Sequence, residues 1–259
     1  MILDEIIEKR KIQLEREKAT ISPEEMKEKA LSMKTPCRDF YAALRKDGLS
    51  VISEVKKASP SKSVICEDFH PVDIAVNYEK ADADAISCLT EEFYFKGSSE
   101  YLKAIRRAVD LPILRKDFIF DEYQIYEARV IGADAVLLIA AVLDTDTMNR
   151  FREIAESLGM NCLFESHNEE ELESILKCSP KIVGINNRNL KTFEVSLENT
   201  KRLASLVPEN CVVVSESGIA SNEDMRFIRE NGADAVLIGE TLMRSGNIAE
   251  TMKALRAGV

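Results

Sequence analysis

From Ser50 onward the chain alternates eight short apolar runs with amphipathic segments. That order and count predict an α/β fold, a (β/α)8 barrel of the TIM type. Two further observations point the same way. The pattern Gly-Ala-Asp-Ala-Val-Leu occurs at Gly132 and again at Gly232, with a shorter Ala83-Asp84-Ala85-Ile86 earlier. A recurring helix-to-strand connection is what repeated βα units need. Seven of the eight apolar runs also end in charged, amide or hydroxyl side chains, which a barrel mouth can solvate and a closed core cannot. The competing architecture, an open doubly wound sheet, would carry a Gly-rich first turn. Here the first run is followed by Lys56-Lys57-Ala58-Ser59.

Residues 1–47 read as a helical N-terminal extension packed on the barrel, and 48–259 as the barrel itself. Ile2, Leu3, Ile6, Ile7 and Leu14 recur at near-helical spacing. Ser22-Pro23-Glu24-Glu25 is a helix start, with Ser22 as N-cap, Pro23 at the first position and Glu25 completing a capping box. Asp39–Lys46 predicts a short helix stopped by Asp47-Gly48. The strand candidates are Val51–Val55, Ala85–Leu89, Ile113–Arg115, Ala135–Ile139, Cys162–Phe164, Ile182–Ile185, Val212–Val214 and Ala235–Ile238. Helices are expected over Val72–Lys80, Ser99–Ala108, Glu122–Ile131, Thr145–Leu158, Glu169–Lys177, Leu197–Leu206, Asn222–Asn231 and Ile248–Leu255. Asn168 with Glu171, and Ser221 with Asp224, have capping-box spacing.

Composition narrows the function. A formal net charge of −10 argues against a nucleic-acid surface, while leaving room for a phosphorylated small molecule held by a local patch. The six cysteines form no CxxC pair and several lie in apolar runs, the pattern of buried reduced thiols in a cytoplasmic protein. His70 and His167 stand far apart without companion ligands, so no metal site is expected. No apolar run approaches the ~20 residues of a membrane span.

The mouth residues follow from reading each strand to its C-terminal end. Strand 1 gives Glu54 and Lys56, two apart and therefore on one face. Strand 2 gives Thr90, Glu91 and Glu92; strand 3 gives Arg115, Lys116 and Asp117; strand 5 gives Glu165 and Ser166. Strand 6 gives Asn186, Asn187 and Arg188, strand 7 Glu216, Ser217 and Gly218, and strand 8 Gly239 and Glu240. Strand 4 stays apolar through Ala141 and offers a wall. A single charged strand end is as readily a structural ion pair. A ring mixing Lys, Glu and Asn suits acid–base work on a polar substrate. Gly218 and Gly239 lie in the loops after strands 7 and 8, where this architecture commonly holds phosphate.

Six motifs now resemble the indole-3-glycerol phosphate synthase family, in its order and across essentially the whole chain. They are Glu54–Ser61 (EVKKASPS), Leu89–Gly97 (LTEEFYFKG), Ile113–Phe118 (ILRKDF), Gly184–Leu190 (GINNRNL), Ser215–Ile219 (SESGI) and Leu237–Glu240 (LIGE). Two positions depart from the pattern: Ser63 stands where glycine usually follows, and Phe93 where lysine is common.

The resemblance implies ring closure of 1-(2-carboxyphenylamino)-1-deoxyribulose 5-phosphate, with loss of CO2 and water, without metal or organic cofactor. It implies Lys116 as the acid, with Glu165, Glu54 and Lys56 as the other acid and base groups. Asn186 and Ser217 would orient substrate hydroxyls, with Ser59, Arg188 and Glu216 in the surrounding network. Phosphate would meet Lys56 and the backbone of Gly218, Gly239 and Glu240. Phe95, Phe118, Leu137 and Ile238 are candidates for an apolar slot, although Leu137 reads equally well as core. The extension is expected to fold over the mouth, in a monomer or weak homodimer. Three rivals stay open: another barrel enzyme acting on a related sugar phosphate, a non-catalytic binder, and an interaction module built on residues 1–47.

Overall fold

A computed structural model describes residues 2–60 and 62–259; Met1 and Ser61, the latter inside the first motif, lie outside the described residues. Eight parallel strands close into a barrel: β1 Ser50–Val55, β2 Ala85–Leu89, β3 Ile113–Lys116, β4 Ala135–Ile139, β5 Asn161–Ser166, β6 Ile182–Asn186, β7 Val212–Glu216 and β8 Ala235–Ile238. Sequential strands are neighbours, and β1 closes on β8 with Ser53 opposite Ile238. Strands β1, β3, β5, β6 and β7 run further than their apolar runs because the polar residues at their ends stay in the ladder. A small hairpin, Ala58–Ser59 against Ser63–Val64, follows β1. Ser63 sits there at φ 53, the left-handed region that glycine favours, so the serine holds a glycine-type backbone conformation.

Three helices precede the barrel: α1 Ile2–Thr20, α2 Pro23–Ser32 and α3 Phe40–Ala43. Helices α4 Pro71–Lys80, α5 Ser99–Ala108, α6 Glu122–Ile131, α7 Thr145–Ser157, α8 Glu169–Leu176, α9 Glu198–Ala204, α10 Asn222–Glu230 and α12 Ile248–Leu255 follow the strands in turn, with the short α11 Glu240–Met243 before α12. Ser221 and Asp224 form the expected capping box. At α2 only half forms: Ser22 accepts from the Glu25 N–H, while the Glu25 carboxylate pairs with Lys29. At α8 the Glu171 carboxylate turns to the N–H and ring of His167 instead. The full box at Asp121 and Gln124 on α6 has Gln in the reciprocal role. α3 stops at Ala43, before Asp47-Gly48.

Each helix of the extension contacts the barrel. Ile2, Leu3 and Ile6 of α1 border the mouth. Helix α2 packs Met26 and Ala30 into the core that lies between strands and helices. Phe40 and Leu44 join the inward-facing residues Ile52, Ala85, Leu114, Ala135, Leu163, Ile182, Val212 and Ala235, plugging the N-terminal end of the barrel. Burial of two such side chains contributes several kcal/mol.

The turn aspartates have a specific task. Asp84 Oδ2 accepts the Val51 N–H, Asp134 Oδ2 the Ile113 N–H and Asp234 Oδ2 the Val213 N–H, each at 2.8 Å. Each carboxylate thus occupies a backbone donor at the start of the neighbouring strand, a group that would be costly to bury unpaired. All six cysteines are free: Cys88, Cys162, Cys178 and Cys211 are buried, Cys37 and Cys66 half-buried. Among the described residues no helix is long and apolar enough to cross a membrane.

Candidate active site

The period-two rule builds the site. Ile52, Leu114, Leu163 and Val214 face inward in the barrel core, so Glu54, Lys116, Glu165 and Glu216, two residues further along the same strands, face inward one layer higher. There the barrel opens into a cavity of about 820 Å³. Every residue given a catalytic, substrate or phosphate role in the sequence analysis borders it: Glu54, Lys56, Ser59, Phe95, Lys116, Phe118, Leu137, Glu165, Asn186, Arg188, Glu216, Ser217, Gly218, Ile238, Gly239 and Glu240.

Lys116 is the centre of the charge arrangement. Its Nζ lies 2.9 Å from Glu165 Oε2 and also bonds Glu216 Oε2. Burial opposes the ammonium, yet the two carboxylates outweigh it and hold the Lys116 pKa well above its usual value. Burial likewise disfavours an ionised Glu165, but Lys116 and His167 pull its pKa down to about 2. Glu216 goes the other way, pushed up to about 7 by burial and by the charge of Glu165. Two carboxylates sharing one ammonium thus divide into an ionised group and one that titrates near neutrality. Asn186 Nδ2 donates to Glu165 Oε1 at 3.3 Å.

Glu54 of β1 and Lys56 just beyond it pair directly against Gly239. A Cβ at 239 would stand 2.2 Å from Glu54 Oε2 and 2.9 Å from Lys56 Nζ. The glycine therefore makes room for this ion pair as well as exposing backbone. Gly184 on β6 does the same for Glu216, whose Oε1 would lie 2.3 Å from an added Cβ. Ser217 and Gly218 are both left-handed, at φ 69 and 87. Asn187 secures this strained turn by donating to Ser217 O at 3.1 Å and to Ser215 Oγ at 2.9 Å. The Arg188 guanidinium faces the cavity with one long tether, 3.4 Å to Phe193 O. Glu240 bonds Arg244 Nε at 3.0 Å through its carboxylate, leaving its backbone at the start of α11.

The apolar side of the cavity is formed by Phe95 and Phe118, with ring centroids 6.0 Å apart, together with Leu137 and Ile139 of β4. Leu137 belongs to the inner core and to the wall at once. At β8 it is Leu237 whose side chain joins the inward cluster, whereas Ile238 packs among the residues between strands and helices.

Not every polar strand end serves the cavity. Thr90 donates to Asp117 Oδ2 at 2.7 Å, and Glu91 accepts the N–H groups of Phe93, Tyr94 and Phe95, shaping the loop after β2. Arg115 is fully buried on the helix side, bonding Gln124 O and Asp117. Asp117 in turn receives Arg10 of α1 at 3.0 Å, tying that helix to the residue beside Lys116. Sequence reading gave no site role to Arg10, Gly184 or His167. For His167 a signal existed: it stands two residues after Glu165 and four before Glu171.

The chain matches the family described as indole-3-glycerol phosphate synthase over residues 3–255. It belongs to that family. The indole-3-glycerol phosphate synthase of Acetivibrio thermocellus is 51% identical over 262 residues, covering 99% of this chain and 100% of its own. That of Endomicrobium trichonymphae is 52% identical over 257 residues, with coverage of 99% and 100%. Solved structures share the barrel at lower identity. The 3-hexulose-6-phosphate synthase of Salmonella typhimurium superposes with a TM-score of 0.66 at 12% identity, over 80% of this chain and 97% of that one. The N-acetylmannosamine-6-phosphate 2-epimerase of Clostridium perfringens gives 0.63 at 13%, over 82% and 94%. These two show the architecture, while the indole-3-glycerol phosphate synthase relatives place the chain in its family.

Proposed function

We propose that this chain is an indole-3-glycerol phosphate synthase, closing the pyrrole ring of 1-(2-carboxyphenylamino)-1-deoxyribulose 5-phosphate with loss of CO2 and water in tryptophan biosynthesis. The observation that carries the assignment of roles is the Lys116 ammonium held between Glu165 and Glu216 at the floor of the cavity. The ring carbon bearing the carboxylate attacks the ribulose carbonyl, and negative charge develops on its oxygen. Lys116 stabilises that charge and delivers the proton. Loss of CO2 follows. In the dehydration a hydroxyl leaves as a proton is withdrawn, and Glu165, ionised at neutral pH, is the base. Lys56 with Glu54 supplies the second acid–base pair.

Asn186 and Ser217 orient the ribulose hydroxyls, with Ser59, Arg188 and Glu216 completing the polar network. The phosphate binds Lys56 and the backbone of Gly218, Gly239 and Glu240. The aryl ring lies against Phe95, Phe118 and Leu137. The protein acts in the cytoplasm as a monomer or weak homodimer; Ile6 and Leu14, the apolar side of α1, are buried within their own chain, which leaves little of that stripe for a partner. Incubation with the carboxyphenylamino substrate should give rising indole fluorescence. A flat trace from folded protein would overturn the assignment.

A further inference from the structure

His167 lies outside the ring of mouth residues and yet touches it. Its ring is buried, with the side chain 8% exposed, between two carboxylates. Nδ1 is 3.0 Å from Glu171 Oε2, which also accepts the His167 N–H at 2.8 Å and so fixes the ring from the α8 side. Nε2 makes no hydrogen bond and stands 3.4 Å from Glu165 Oε1. Nδ1 beside a carboxylate carries a proton. A neutral ring would then turn its Nε2 lone pair toward ionised Glu165, whereas an imidazolium presents N–H to both partners. The groups facing His167 are Glu165 from β5, Glu171 from α8 and, further off, Glu216 from β7. Asn199 of α9 meets only its carbonyl.

We infer that His167 is a positioning residue: a buried imidazolium, oriented by Glu171, that holds Glu165 ionised when Lys116 gives up its proton. The inference rests on Glu165 being the base. Once Lys116 has protonated the alkoxide it is a neutral amine, and Glu165 and Glu216 have lost their shared cation. The imidazolium is then the remaining cation beside Glu165, keeping it deprotonated for the dehydration step that follows. Burial opposes a charged ring, but the hydrogen bond that Nδ1–H donates to Glu171 and the charge of Glu165 raise its pKa in agreement with this arrangement.

The test is His167→Gln, which keeps an amide donor toward Glu165 and removes the charge. An opposite charge this close shifts a carboxyl by about one pH unit or more. The acidic limb of the kcat–pH profile should therefore move up by about one unit in H167Q, about tenfold in kcat below the limb, with KM within about twofold. An unmoved limb overturns the inference. A second reading needs no activity. The chain has only two histidines, so labelled-histidine NMR follows His167 directly. Coupling is reciprocal: in Glu165→Gln the ring should lose its proton at lower pH than in the parent. An unchanged His167 titration would refute the contact. Full turnover by Glu165→Gln would instead refute the base assignment itself.

Discussion

The two ends of the barrel both bury carboxylates, and they use them differently. At the N-terminal end Asp84, Asp134 and Asp234 each cap a strand N–H. The first two also pair with arginine, Arg256 on Asp84 and Arg106 on Asp134 at 2.6 Å. Most of the charge and hydrogen bonding is matched there, Arg256 Nε being the exception, and Phe40 and Leu44 fill the apolar layer beside it. At the C-terminal end Glu54, Glu165 and Glu216 crowd around two lysines beneath the cavity. Glu216 Oε1 has no hydrogen-bond partner, and Ser217 is held left-handed. The matched end is arranged for stability. The mismatched end keeps groups whose protons can move, at some cost to stability.

Substitutions should separate the two ends. The largest effect is expected from Lys116→Met, which should lower kcat by about 10²–10⁴-fold and leave product-analogue binding within about tenfold, measured by fluorescence and titration. Retention of more than about a tenth of the parent rate would remove Lys116 from its role as acid.

Asp134→Asn is the counterpart at the other end. It takes the charge from a fully buried carboxylate, unpairs the half-buried Arg106 and weakens the bonds to the Ile113 and Arg38 N–H groups. Weakening hydrogen bonds to a charged group costs roughly 1.5–3 kcal/mol, visible as a lower urea midpoint, with kcat and KM within about twofold. A large fall in kcat at unchanged stability would erase the division between the ends.

Removal of residues 1–20 tests whether α1 belongs to the mouth. It takes away Ile2, Leu3 and Ile6 from the cavity and Arg10 from Asp117 while leaving the Phe40–Leu44 plug. The truncated chain should keep the circular dichroism of a barrel, bind substrate more weakly and melt lower. An unchanged KM would detach α1 from the site, and sedimentation of both chains would show whether it serves an interface instead.

The smallest effect concerns pH. Glu216 retains its proton in the folded state up to about pH 7, whereas in the unfolded chain it ionises near the ordinary carboxyl value of about 4.3. Between these values the folded state binds more protons, so this group makes stability fall as pH rises, by at most about 1.4 kcal/mol per unit. Glu165 has the opposite sign: its lowered pKa contributes stability above the unfolded value that is lost as pH falls below it. Glu216→Gln should flatten the slope between pH 5 and 7 in urea unfolding. An unaltered slope would assign that titration elsewhere.

The sequence by itself determined the barrel, because apolar period, caps and the Gly-Ala-Asp turns are local signals that agree with one another. It also placed the mouth, because on a barrel strand the period of two carries inward-facing Leu114 into Lys116 and Leu163 into Glu165. Only the tertiary structure decided which polar ends share a space. Arg115 and Lys116 are adjacent in sequence and point to opposite sides of the sheet, one into the helix layer and one into the cavity. Arg10 meets Asp117 across 107 positions of chain, and Gly184 is small because a carboxylate from another strand lies against it. His167 looked solitary because its partners are defined by where β5 ends and α8 begins. Strand phase is written in neighbouring residues, whereas the pKa of a buried carboxyl depends on every charge the closed barrel brings within a few ångströms.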